Sequence, residues 1–197
     1  EKKHMDKPQE TALVYEGSYE ENYTSLTRDH KINLAWHQVT SEAANETFED
    51  AVKDAAGVNV ISPTWVSITG NEGTISSLAS ADYVSKAHAK GMEVWGLIDN
   101  FNENISTLET LSARTSRAHI IEKLLQEAQR VGLDGINVDF EALTEEEVPH
   151  FIQFLRELSI TCRTNNLVLS IDNPVPQYTA FYNRKEQGII GDYVIIM

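Results

Sequence analysis

The chain reads as an α/β protein, a (β/α)8 barrel truncated to about six βα units. Three observations point there. Strand-like and helix-like runs alternate at intervals of roughly 25–40 residues, the signature of a parallel sheet built from βα units. Polar or aromatic side chains stand at the C-terminal ends of several runs: Trp36-His37-Gln38, Trp65, Asp99-Asn100, Asp139 with Glu141, and Asp172-Asn173. A barrel gathers such ends around one mouth. The Gly-rich phosphate turn frequent in doubly wound sheets is missing. A complete barrel takes about 250 residues, and this chain has 197.

Residues 1–28 are polar and read as a linker or leading arm, with a short strand at Ala12–Tyr15; residues 29–197 form the partial barrel. Lys31–Val39 is an apolar run suited to a first strand. Ala43–Ala56 follows as a short helix, with Phe48, Ala51, Val52 and Ala55 at helical spacing and Gly57 as its stop. Val58–Trp65 is a second strand, broken near its end by Pro63. Ser80 caps a helix that runs to Lys90 and closes at Gly91. Glu93–Asn100 is the third strand. A longer helix spans about Leu111–Val131, with Ile120, Ile121, Leu124, Leu125 and Ala128 inward. The stretch Gly132–Glu141 holds the fourth strand. Thr144-Glu145-Glu146-Glu147 is a capping box, and Pro149 marks where the regular part of the next helix starts. Leu167–Asp172 is the fifth strand, one helix lies within Tyr178–Gln187, and Asp192–Met197 begins a sixth strand. The chain opens on Glu1 and closes on an apolar run, so both ends read as cuts in a longer protein.

Composition narrows the function classes. An apolar fraction of 41% and three Trp indicate a globular protein. A net charge of −14 argues against nucleic acid and anionic membrane surfaces as partners. No stretch has the apolar length that spans a bilayer. Cys162 is the single cysteine, so no intrachain disulfide forms, and its helical setting suits a buried thiol. The six His are scattered without metal-ligand spacing; His88 and His119 fall on helix surfaces. No Gly-x-Ser-x-Gly elbow and no cofactor motif are present. Neither a metal nor a cofactor is expected.

Chemistry concentrates in the fourth strand. With a period of two, Ile136, Val138 and Phe140 share one face, and Asn137, Asp139 and Glu141 the other. A strand in a parallel sheet is normally apolar on both faces. Burying a polar row is costly unless its members are hydrogen-bonded or change protonation. Glu141 is the candidate general acid. The next helix has its own cap in Thr144, and a neighbouring charge with partial burial favours the protonated form that a leaving-group oxygen requires. Asp139 is its ionised or hydrogen-bonding partner. Asp134, beside Gly135, stands apart from the row and fixes the turn into the strand. Trp36, Trp65 and Trp95 serve either as stacking platforms for a sugar ring or as barrel filling. Asp99, Asn100, Asp172 and Asn173 serve either as hydroxyl ligands or as loop caps. The residues alone leave both readings open.

Asp134-Gly135-Ile136-Asn137-Val138-Asp139-Phe140-Glu141 resembles the fourth-strand signature Asp-Gly-x-Asp-x-Asp-x-Glu of glycoside hydrolase family 18. The similarity extends from Ile32–Trp36 to Tyr193–Met197, and its flavour is that of the bacterial branch holding spore-cortex and cell-wall glucosaminidases. The resemblance implies an eight-fold barrel acting on β-1,4-linked N-acetylglucosamine polymers such as chitin or peptidoglycan, outside the cell or in its envelope. It implies a retaining reaction in which the substrate's N-acetyl oxygen is the nucleophile. Glu141 would be acid then base, Asp139 would orient the acetamide, and Asp134 would be structural. Two departures stand out. Asn137 replaces the middle Asp; it can bond Asp139 but not take its proton, so a like-charge pair is lost and an altered pH dependence is expected. The sixth strand stops at Met197, within the stretch where the family places acetamide contacts. A non-catalytic glycan-binding domain and an inactive fragment are the alternatives. The open barrel edge also makes self-association an expectation.

Overall fold

The computed structural model describes residues 25–197. The strand expected at Ala12–Tyr15 and most of the leading arm lie outside the described residues. Six strands form a curled parallel sheet: β1 (Leu34–His37), β2 (Val60–Ile68), β4 (Glu93–Asp99), β5 (Gly135–Asp139), β6 (Val168–Asn173) and β7 (Tyr193–Ile196), adjacent in that order. A short strand, β3 (Ile75–Ser77), returns antiparallel on β2. The sheet is a partial barrel, as the strand–helix alternation predicts.

Helices cover its outer face: α1 (Phe48–Val52), α2 (Ala81–Ala89), α3 (Thr107–Ser112), α4 (Arg114–Val131), α5 (Val148–Thr164) and α6 (Arg184–Ile190). Three expected helices differ in detail, each for a local reason. Ala43–Ala56 is a 3-10 segment, Glu42–Thr47, running into the five-residue α1. Asn45 holds that turn by donating to Glu42 O and Leu78 O while accepting from Trp65 Nε1. The long helix is interrupted at Ala113, which is extended; Arg117 donates to the freed carbonyls of Leu111 and Ser112. Tyr178–Gln187 is not one helix. Two 3-10 turns precede α6, whose N-cap Asn183 sits in the left-handed region and accepts from Glu186 N.

Pro63 does not break β2. The strand continues to Ile68, and the register slips between Thr64 and Val66. A bulge next to a proline is a usual accommodation in a sheet. Here it sends both Trp65 and Val66 into the helix-side core and returns Ser67 to the inner face.

Most of the apolar core lies between sheet and helices. Phe140 stacks on Phe151 and Phe154 of α5, with ring centroids at 5.4 and 5.6 Å, which ties the end of β5 to its helix. A smaller cluster of Val60, Trp95 and Val168, joined by Leu26, Ile32, Leu34 and Tyr193, fills the barrel floor. The arm residue Arg28 crosses this floor and forms a two-pronged pair with Glu93.

Side chains also lock the lower ends of neighbouring strands. Asn59 Oδ1 accepts from Asn33 N, Asp134 Oδ2 from Val94 N, and Asp192 Oδ2 from Leu169 N. Each residue's own N–H donates back to the carbonyl of the residue it holds. Among the described residues, the outer edges of β1 and β7 pair with no further strand. A cleft of about 370 Å³ opens between them, lined in part by Leu34, Trp36, Trp95, Tyr193 and Ile195.

Candidate active site

Register brings the carboxylates together. Asp99 pairs with Asp139 across β4 and β5, and Val138 pairs with Ile171 across β5 and β6, which sets Asp139 beside Asp172. Three aspartates thus stand abreast at the C-terminal ends of adjacent strands, on the inner face. Strands this close are only about 4.8 Å apart.

Below that row, Asn137 is fully buried and saturated. Its Oδ1 accepts from Trp36 Nε1 (3.1 Å) and Ser62 Oγ (2.9 Å), and its Nδ2 donates to Asp172 Oδ1 (2.9 Å) and Ser170 Oγ (3.3 Å). Trp36 Nε1 also reaches Asp172 Oδ2 (3.2 Å). The expected partner of Asn137 was Asp139. The amide goes instead to Asp172, because Asp172 receives on the inner face of the neighbouring strand.

Asp139 is buried, and its Oδ1 has no hydrogen-bond partner. Burial, with the charges of Asp172, Glu141 and Asp99 adding to it, pushes its pKa up to about 7. Asp172 is pushed up to about 6, again by burial first, with bonds from Asn137 and Trp36 working against it. Burial also raises Asp99, against bonds from Phe101 N–H and Ser67. Asn137 adds no charge to this cluster, yet the crowding persists. Carboxylates on β4 and β6 flank Asp139 whatever residue 137 is.

Glu141 lies past the strand. β5 ends at Asp139 and Phe140 is buried outward, while Glu141 is exposed at the mouth. The partial burial expected for it is absent, because the ladder has ended and the chain turns at Ala142, whose φ is 53°. Its main chain is held from β4: Asn100 Oδ1 accepts from Glu141 N (3.0 Å) and Asn100 Nδ2 donates to Glu141 O (3.1 Å). Leu143 N, further on, donates to Tyr182 Oη.

The other candidates separate by the face they occupy. Trp36 is 43% exposed and lines the cleft, so its ring face is available for stacking. Trp65 points the other way. It is 2% exposed, packed edge-on against Tyr83 in the helix-side core, so no sugar reaches it. Trp95 is buried in the floor, its ring tilted against Tyr193, with Nε1 donating to Glu93. Asn173 faces outward as well, donating to Gln187 Oε1 of α6, and is not available as a hydroxyl ligand. Asn100 is engaged with Glu141 and Thr107. Met197 follows β7, exposed, its N–H donating to Asn173 O. Asp134 Oδ2 joins Val94 N to His88 Nε2 of α2, so His88 is engaged as well as exposed. Gly135 lies where any Cβ would collide with Trp95 and Val168 O.

Ser62 and Ser170 escaped the sequence reading. The signal was there: each shares strand parity with an inward residue, Ser62 with Val60 and Ser170 with Asp172. Among the described residues, no group of three or more His, Cys, Asp or Glu is placed to hold a metal ion, and no helix is long and apolar enough to cross a membrane.

Solved structures of chitinases and of a spore cortex-lytic enzyme match this partial parallel barrel in fold. The Chromobacterium violaceum chitinase aligns over 85% of this chain and 56% of its own, with TM-score 0.70 and 21% identity. The Bacillus cereus spore cortex-lytic enzyme SleL aligns over 84% and 40%, with TM-score 0.72 and 24% identity. A family 18 chitinase variant from Cycas revoluta, solved with (GlcNAc)4, aligns over 85% and 55%, with TM-score 0.71 and 12% identity. This chain therefore has the chitinase-like barrel fold, with six parallel strands among the described residues. In sequence, the Bacillus subtilis protein YvbX, named an uncharacterized glycosylase, is 22% identical over 138 residues, which is 64% of this chain and 40% of YvbX. The chain spans about half the length, or less, of the relatives it matches. No protein-family profile matches it.

Proposed function

We propose that the protein is a glycoside hydrolase acting on β-1,4-linked N-acetylglucosamine glycans, chitin or peptidoglycan, by a substrate-assisted retaining reaction. The observation that carries this reading is the pairing of an exposed carboxyl, Glu141, with a buried one, Asp139, at one barrel mouth. The exposure of Glu141 at the mouth supports a role for it as the acid that protonates a glycosidic oxygen. Asp139, with its pKa near 7, holds or releases a proton close to neutral pH, which suits a group that bonds an acetamide and then faces a cation. The similarity to SleL and to chitinases, one of them solved with (GlcNAc)4, supports the substrate class.

In the first step Glu141 donates its proton to the glycosidic oxygen as the C–O bond breaks, and the acetamide oxygen of the substrate closes on the anomeric carbon. Asp139 orients that acetamide and stabilises the oxazolinium. Water then opens the ring, giving its proton to the Glu141 carboxylate, which restores the acid. Trp36 supplies an apolar face beside the row on which a sugar ring can stack.

The test is hydrolysis of chitin oligosaccharides and of peptidoglycan by the protein in its full natural length. Glu141→Gln should lower kcat at least about 100-fold. If that variant cleaves as fast as its parent, Glu141 is not the acid. If the parent binds glycan but never cleaves it, the non-catalytic binding reading replaces this one.

A further inference from the structure

We propose that Asn100 is a positioning residue for Glu141, an inference that rests on the hydrolase reading above. Glu141 has left the β ladder, is exposed, and is followed by a residue with positive φ. Sheet pairing therefore does not set where its side chain emerges. The Asn100 carboxamide does, through complementary bonds to both the N–H (3.0 Å) and the C=O (3.1 Å) of Glu141. This pairing also fixes the amide's orientation, since only Oδ1 can accept from the N–H and only Nδ2 can donate to the C=O. The second Nδ2 hydrogen goes to Thr107 Oγ1 (3.2 Å) in the first turn of α3. The clamp thus transmits the position of β4 and α3 to the acid. Asn100 itself touches no reacting atom in this scheme.

A displacement of an acid by about 1 Å is worth orders of magnitude in rate. On chitin oligosaccharides, Asn100→Ala should lower kcat at least about tenfold while KM stays within about threefold. Asn100→Asp keeps the acceptor for the N–H but sets a carboxylate oxygen against the Glu141 carbonyl, so it should fall similarly. A 4-nitrophenyl glycoside, whose leaving group needs little protonation, should lose less than about threefold. In a Glu141→Gln background, Asn100→Ala should add little. Should Asn100→Ala fail to fold, Thr107→Val removes the brace on the clamp and should give a smaller loss with the same leaving-group pattern.

Equal losses on both leaving groups, or a loss carried by KM, would overturn the inference in favour of a merely structural Asn100. If Glu141→Gln abolishes cleavage and Asn100→Ala is as fast as the parent, this inference alone falls. If Glu141→Gln is as fast as the parent, the acid assignment falls and takes the clamp's catalytic role with it. In that case, slowed hydrogen exchange at the Glu141 amide, lost in Asn100→Ala, would leave the clamp only a structural part.

Discussion

Asp139 and Asp172 are acids whose folded-state pKa values, about 7 and about 6, lie above the ordinary aspartate value of 3.8. Below pH 4 both folded and unfolded chains hold these protons, so the groups cost nothing. Between pH 4 and 7 the folded chain keeps protons that the unfolded chain releases, and stability falls as pH rises. Above pH 7 the penalty is complete. The melting temperature of Asp139→Asn minus that of the parent should therefore grow from pH 4 to pH 7 and then level off. A difference that shrinks over that range would sink the burial argument. Asn137 is the opposite case, a neutral group with every bond made. Asn137→Asp would lose the donor to Asp172 and add a fourth buried carboxylate to Asp99, Asp139 and Asp172, so it should cost about 2–4 kcal/mol near pH 7 and less near pH 5. Urea melts at the two pH values would show it. Glu141→Gln, exposed, should leave the melting temperature within about 2 °C.

Strand and helix ends are held by specific contacts rather than by propensity. Arg117 on α4 pairs with Glu157 on α5 through two bonds of 2.9 Å and also caps the carbonyls that end α3. The guanidinium is buried, so Arg117→Ala leaves Glu157 without a counter-charge, held only by Gln153 Nε2, and three helices less well joined. A loss of about 3–5 kcal/mol is expected, read from denaturant midpoints; a loss under about 1 kcal/mol would mean water replaces the pair. Gly135 is constrained by a different means. A Cβ there would lie 2.8 Å from Trp95 Cδ1 and 2.9 Å from Val168 O. Gly135→Ala should cost about 1–3 kcal/mol through overpacking, and Trp95 fluorescence should change with it.

At the scale of the molecule, the described sheet ends on two strands, β1 and β7, whose outer edges find no partner, and a cleft with Trp36 and Ile195 in its lining lies between them. Unpaired edges beside apolar surface are templates for association. The isolated chain is therefore expected to self-associate reversibly in sedimentation equilibrium, and Ile195→Lys, which places a charge in the cleft, should weaken that association. A concentration-independent monomer would remove the idea.

The sequence by itself determined the fold class, because the alternation of strands and helices and the polar ends of strands are local patterns that survive any packing. The six parallel strands are placed near their bounds by those patterns, and the reciprocal bonds of the capping box at Thr144–Glu147 form, although the helix itself starts after the box, at Val148. Period-two parity also put Asn137 and Asp139 on one face. What parity cannot carry is the point where a ladder stops, so Glu141 was expected in the row and is found exposed beyond it. Nor can it say which way a bulge turns a side chain, which is why Trp65 is core and not platform. The Asn137–Asp172 bond and the Asn100 clamp join residues 35 and 41 positions apart. Only the tertiary structure decides such contacts, since register between strands is set by the packing of whole sheet and helix faces rather than by neighbours along the chain.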